Sequence, residues 1–220
     1  MAQYLIHAIP KRLWYVNDYL IPSMLNQAIS KDNISVYVDT EKLGNLKACM
    51  EAFKSVENDD YGTWHLQDDV IISHDFKEVT EKYDSGIVCG FFSKYDDVKP
   101  SGEVSIYDMW FSFPCIRIPN KIAIECANWI TRYMIGNPVY KEYWRRGVND
   151  DFLFKLFIES AYKDLTAINL NPNIVNHIDY LIGGTSSGID REERAVSRLW
   201  TDDYLVEELD RSLHNNALHR

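Results

Sequence analysis

QYLIHAI at residues 3–9 is an apolar run stopped by Pro10, the pattern of a buried strand. After it, Leu13, Val16, Leu20, Met24 and Ala28 recur at helical spacing across residues 13–29. Pro22 interrupts that helix and predicts either a kink or the true helix start. ISVYV at 34–38 is β-branched and aromatic, hence a second strand. Leu46, Cys49, Met50, Phe53 and Val56 mark a helix over 45–56. A third strand ends near Leu66, and GIVCGFF at 86–92 reads as a fourth. Strand–helix–strand–helix order predicts an α/β fold with parallel strands joined by right-handed crossovers.

Further along, residues 93–104 are polar and hold Pro100 and Gly102, so they read as a loop. Residues 105–118 are aromatic and β-prone. Helices are expected over 121–135, closed by Asn137 and Pro138, and from Asp150 to Ala161. TAINL at 166–170 is a late strand, and GGTSSG at 183–188 a loop. The expected organisation is one α/β domain over 1–188, in halves 1–92 and 93–188. A charged helical tail follows over 189–220.

The 220 residues are 46% hydrophobic and 13% aromatic, enough to build a core and unlike a disordered chain. A net charge of −10 disfavours non-specific binding to nucleic acid or an anionic membrane. No apolar run approaches the ~20 residues that span a bilayer. MAQYLIHAIP has no basic segment before its apolar stretch, so it does not read as a signal peptide. Cys49, Cys89, Cys115 and Cys126 form no CxxC pair, and free thiols in a cytoplasmic protein are expected.

Open α/β sheets bind ligands at the carboxyl ends of their strands. The loop after the first strand, Ile9-Pro10-Lys11-Arg12, has no glycine; the first in the chain is Gly44. That excludes a dinucleotide fingerprint or phosphate-cradling loop there, and disfavours a sugar nucleotidyltransferase. Arg12 offers a fixed cation for a phosphate or a base, or is a surface charge at a helix entry. Asp39 ends the second strand, where it can bond a ribose or cap the turn. Asp68 and Asp69 follow the apolar third strand, a costly place for two acids unless a cation compensates them. A hard divalent ion, Mg²⁺ or Mn²⁺, is one such cation. Asn149-Asp150-Asp151 opens a helix, where an acid can cap the first turn or serve as a general base. His177 lies in an apolar–polar alternation shortly after Pro172.

Four stretches in order, IHAIPKR, VYVD, LQDDVIIS and NPNIVNHIDYLIGGTSS, resemble the GT-A family of nucleotide-sugar glycosyltransferases. The resemblance implies a mixed, mostly parallel central sheet flanked by helices. It implies Asp69 and His177 as ligands of Mn²⁺ or Mg²⁺, with Asp68 in the same acidic motif. Gln67 stands where the family often has an acid facing the ribose, a departure that removes a charge. Arg12 and Asp39 resemble residues that hold the donor, and Asp150 or Asp151 the acid that deprotonates the acceptor in inverting members. Substitution of Asp69 by alanine is expected to abolish turnover and spare the fold.

The acceptor side is expected in the aromatic stretch 106–114, with Tyr107 and Trp110 as stacking residues. Basic side chains offer phosphate contacts: Arg145 beside Lys141 and Arg146, and Arg194 between Arg191 and Arg198 on one helical face. The interleaved acids equally suit a solvated helix. Arg194 is taken as a donor-diphosphate contact and Arg145 as an acceptor contact. The short, Tyr/Asn/Asp-rich chain resembles virus-encoded members, which implies a hydroxymethylated pyrimidine in DNA as acceptor. A glycan, lipid or protein acceptor, or a nucleotide-sugar-binding module without catalysis, is the alternative.

Overall fold

The structure is a computed structural model that describes residues 2–91, 101–109, 111–134, 137, 150–178 and 182. Nine strands are described: β1 (Gln3–Ala8), β2 (Ile34–Val38), β3 (Gly62–Gln67), β4 (Val70–Ile72), β5 (Ile87–Cys89), β6 (Gly102–Ser105), β7 (Cys115–Pro119), β8 (Thr166–Asn169) and β9 (Val175–His177). Seven form the central sheet in the order β2-β1-β3-β7-β5-β8-β6, and β4 pairs with β9 in a separate ribbon. β1 pairs parallel with β2 and β3, and β5 parallel with β8. β7 runs antiparallel between β3 and β5, and β6 antiparallel on β8. Five of the seven strands therefore point one way, the mixed, mostly parallel sheet that the family resemblance implies; the antiparallel β7 and β6 depart from the all-parallel order read from the strand and helix pattern.

Helices cover both faces. One face packs α3 (Asn45–Lys54), α5 (Asn120–Trp129) and α6 (Asp150–Ala161) over Phe53, Phe111, Ile116, Ile118 and Phe154. The other buries Tyr4, Ile6, Trp64 and Leu66 under α1 (Leu13–Tyr15), α2 (Ile21–Asn26) and α4 (Phe76–Thr80). The strand alternation makes this possible: Trp64 and Leu66 face one core while His65 between them contacts Phe53 in the other.

The expected kink at Pro22 takes the form of a π-turn over Val16–Leu20, with Pro22 in the first turn of α2. A wide turn placed there leaves the missing proline N–H without a vacant hydrogen bond. Gly62 makes room for the buried Arg117 on β7. A Cβ at Gly62 would lie 2.5 Å from a guanidinium that donates to the carbonyls of Asp84 and Gly86 at 2.5 and 2.6 Å.

All four cysteines are free and buried. Among the described residues no helix is long and apolar enough to cross a membrane. The expected tail over 189–220, Trp110, Arg145 and Arg194 lie outside the described residues.

Candidate functional site

Parallel pairing brings three chain segments to one edge of the sheet. Ala8 lies opposite Val38, and His7 opposite Gln67. The segments that carry Arg12, Asp39 and Asp68-Asp69 therefore leave from neighbouring points. Asp68 and Asp69 form the two-residue turn between β3 and β4, and each is only 4% exposed.

Burial of two adjacent carboxylates requires compensation, and the fold supplies it. The Ile9 backbone N–H donates to Asp68 Oδ2 at 2.8 Å. Arg12 Nη1 donates to Asp68 Oδ1 at 2.8 Å and to Asp69 Oδ2 at 2.5 Å. The β4–β9 ribbon brings in the last group. Val70 pairs with His177, the Ile178 N–H donates to the Asp69 carbonyl at 2.8 Å, and His177 Nε2 lies 3.1 Å from Asp69 Oδ1. Asp69 and His177, far apart in sequence, thus meet.

The two acids are tuned in opposite directions. Burial, then the neighbouring Asp69 charge, pushes the Asp68 carboxyl up despite its bonds to Ile9 and Arg12. Burial also acts to raise Asp69, but the His177 contact and the Arg12 charge outweigh it and hold Asp69 below the ordinary carboxylate value. Burial acts to lower the Arg12 guanidinium, and the two carboxylates overcome it and hold it higher still.

The remaining residues are held by partners of their own. Asp39 is buried just past β2 and accepts the Leu43 N–H at 2.9 Å, which is the turn-capping role. Gln67 ends β3, half-buried. Asp150 opens α6. Burial pushes its carboxyl up, while it accepts first-turn backbone N–H groups and a bond from the Cys49 thiol on α3. Asp151 accepts the Phe152 N–H at 2.7 Å. Tyr107 is exposed in a turn that Lys155 ties to α6. Lys155 Nζ donates to the carbonyls of Ile106, Tyr107 and Met109 at 3.2, 3.1 and 2.7 Å. The double role of Arg12 on both acids has no local sequence signal, because it joins loops 56 residues apart.

A carboxylate and an imidazole 3.1 Å apart would both face one divalent ion, and an imidazole ligand favours Mn²⁺ over Mg²⁺. Among the described residues no group of three or more His, Cys, Asp or Glu is placed to hold one. Such an ion would take its other ligands from water and phosphate, as Mg²⁺ sites commonly do.

The neighbouring strands β1 and β3 carry a histidine pair. His7 Nε2 and His65 Nδ1 are 2.9 Å apart, and Phe53 meets the His65 ring edge-on at 4.8 Å. Burial lowers His7 to about 4, and burial with the His7 charge lowers His65 well below the usual histidine range. Below an unfolded-chain value near 6.5 the unfolded chain takes up protons that the folded pair refuses. This contribution to stability is therefore complete above about pH 6.5 and is lost as pH falls toward 4. The expected slope is about 1.4 kcal/mol per pH unit for each fully titrating histidine. Urea denaturation at pH 4.5–7.5 checks it: the slope between wild type and a His7→Phe/His65→Phe variant should differ, and parallel profiles contradict the assignment.

No protein-family model and no curated protein matches the chain. Among solved structures it is similar to a Drosophila β-1,4-galactosyltransferase 7 mutant in complex with manganese, UDP-Gal and xylobiose. That likeness has 10% identity and a TM-score of 0.45, and covers 93% of this chain and 79% of that one. It is also similar to HddC from Yersinia pseudotuberculosis, at 12% identity and a TM-score of 0.37, over 77% of this chain and 90% of that one.

Proposed function

We propose that this chain is a glycosyltransferase that moves a sugar from a nucleotide-diphosphate donor, preferably a UDP-sugar, to an acceptor hydroxyl, with a divalent ion at Asp69 and His177. The observation that carries it is the convergence of Asp69, His177, Asp68 and Arg12 at the carboxyl edge of the sheet, all buried. When bound, the ion offsets the negative charge that develops on the departing diphosphate. The protein's own groups do the rest. Asp69 and His177 would hold the ion, Arg12 would supply positive charge for phosphate oxygens, and Gln67 and Asp39 would bond the nucleoside.

Asp150 is the proposed base for the acceptor hydroxyl. Burial raises its carboxyl toward the range where proton abstraction at neutral pH is efficient. One base without a second carboxylate as nucleophile favours inversion at the anomeric carbon. Tyr107 is the described member of the proposed acceptor contacts. A hydroxymethylated pyrimidine in viral DNA is the proposed acceptor, with glycans, lipids and proteins as alternatives.

A second reading has one observation in its favour. Arg12 already compensates both carboxylates, as a nucleotide-sugar-binding module without metal or turnover would require. Thermal unfolding with UDP, with and without Mn²⁺, followed by a mass-spectrometric donor screen, decides between them. The enzyme is expected to gain stability from UDP only with Mn²⁺, about 2.7 kcal/mol at a hundred times Kd, and to release UDP from a UDP-sugar. Stabilisation independent of Mn²⁺, without UDP release, supports the binding module. No shift with any nucleotide rejects both. Transfer of labelled sugar to hydroxymethylcytosine duplex rather than to oligosaccharide is the test of the acceptor.

A further inference from the structure

The acidic turn is compensated in part from within, by one guanidinium against two carboxylates. Of its four carboxylate oxygens, Arg12 Nη1 takes one from each acid, the Ile9 N–H takes a third, and the fourth faces His177. Arg12 itself is buried, 8% exposed, so its charge is not shared with bulk water. One nitrogen, Nη1, contacts both acids. A cation that bridges two anions through one atom makes the same kind of contact that a metal ion would.

We propose that the Arg12 guanidinium is the resident counter-cation of this site, and that a divalent ion enters only as Arg12 leaves Asp68 and Asp69 for the donor diphosphate. This rests on the glycosyltransferase reading and adds a regulation to it. Two cations cannot share a buried acidic turn without strong repulsion, because little solvent is there to screen them. The free ion alone therefore competes poorly against Arg12. A diphosphate changes the balance, since it offers the guanidinium a partner of equal or greater charge and gives the ion further oxygen ligands. Ion and nucleotide then bind as a coupled pair, and by linkage each tightens the other by the same factor. The arrangement keeps the acids compensated at every stage, which a bare metal site in the same buried turn would not.

Calorimetric titration of the full chain with MnCl₂, with and without saturating UDP, tests this on wild type and Arg12→Gln. Wild type is expected to bind Mn²⁺ weakly alone and at least about tenfold more tightly with UDP. Arg12→Gln is expected to bind Mn²⁺ alone about tenfold more tightly than wild type, with most of the UDP effect gone. Arg12→Gln leaves two buried carboxylates without their cation, so it should be less stable without metal, and Mn²⁺ alone should restore its melting temperature more than it raises that of wild type. Arg12→Lys, which keeps a charge on a shorter side chain, is the second variant and should fall between the two. Mn²⁺ affinities in both variants equal to or weaker than wild type, with wild type still binding Mn²⁺ in the presence of UDP, overturn the proposal and leave the glycosyltransferase reading standing. No Mn²⁺ binding by any of the three, with or without UDP, overturns both.

Discussion

Asp69→Asn is expected to reduce sugar transfer at least about a thousandfold, close to 4 kcal/mol of transition-state stabilisation. Asparagine keeps the shape of the side chain, but it removes the charge that holds Arg12 and would hold an ion. The two contacts are made on separate oxygens, Oδ2 to Arg12 and Oδ1 toward His177, so one substitution weakens both. The loss should fall on kcat more than on KM, because the ion's main contribution arises as the diphosphate departs. Transfer within tenfold of wild type rejects the metal role of Asp69. Alanine is a poorer probe than the sequence implies. Asp69 is buried against Arg12 rather than exposed as a surface ligand, and truncating one partner of such a pair costs about 3–5 kcal/mol of stability. The expectation that alanine spares the fold therefore gives way to one of lost activity together with a lower melting temperature.

The second large effect is expected from Asp150→Asn: a fall in kcat of about 10²–10⁴-fold with little change in melting temperature. Asparagine caps a helix as well as aspartate does, so the backbone N–H groups that Asp150 now satisfies remain satisfied. The ability to accept a proton is lost. Asp151→Asn should cost less than tenfold, because the Asp151 carboxylate bonds the Phe152 N–H, which an amide oxygen also accepts. Rates for both variants, measured as transferred sugar by mass spectrometry, decide between the two acids. A large loss in Asp151→Asn with near-normal turnover in Asp150→Asn reverses the assignment. An equal loss of activity and of melting temperature in both means that the helix start is structural.

Single elements were legible in both halves because their information is local. ISVYV forms β2 at 34–38, and α6 spans Asp150–Ala161, both as their side-chain patterns predict. β4 was not resolved as a separate strand, because Val70-Ile71-Ile72 only makes sense once β9 pairs with it. The antiparallel course of β7 was equally hidden: CIRIP shows that a strand is buried, and nothing in its alternation gives direction or neighbour. At the site, the acids and His177 stood out by residue type. For Arg12 the sequence offers a phosphate or base contact or a surface charge at a helix entry; the structure buries it on Asp68 and Asp69, which overturns the surface charge. Only the folded return of the loop after β1 across the end of β3 creates that contact. The His7–His65 pair escaped notice for a similar reason, since two unremarkable histidines become a unit only when β1 and β3 align.

The three-residue ribbon of β4 and β9 has a consequence for biosynthesis. A nascent polypeptide that has emerged from the ribosome only as far as β7 already holds β1, β2, β3 and both acids. It still lacks the strand that delivers the imidazole. Closing that long-range contact is among the late steps of maturation, so the Asp69–His177 pair should form after most of the secondary structure has appeared.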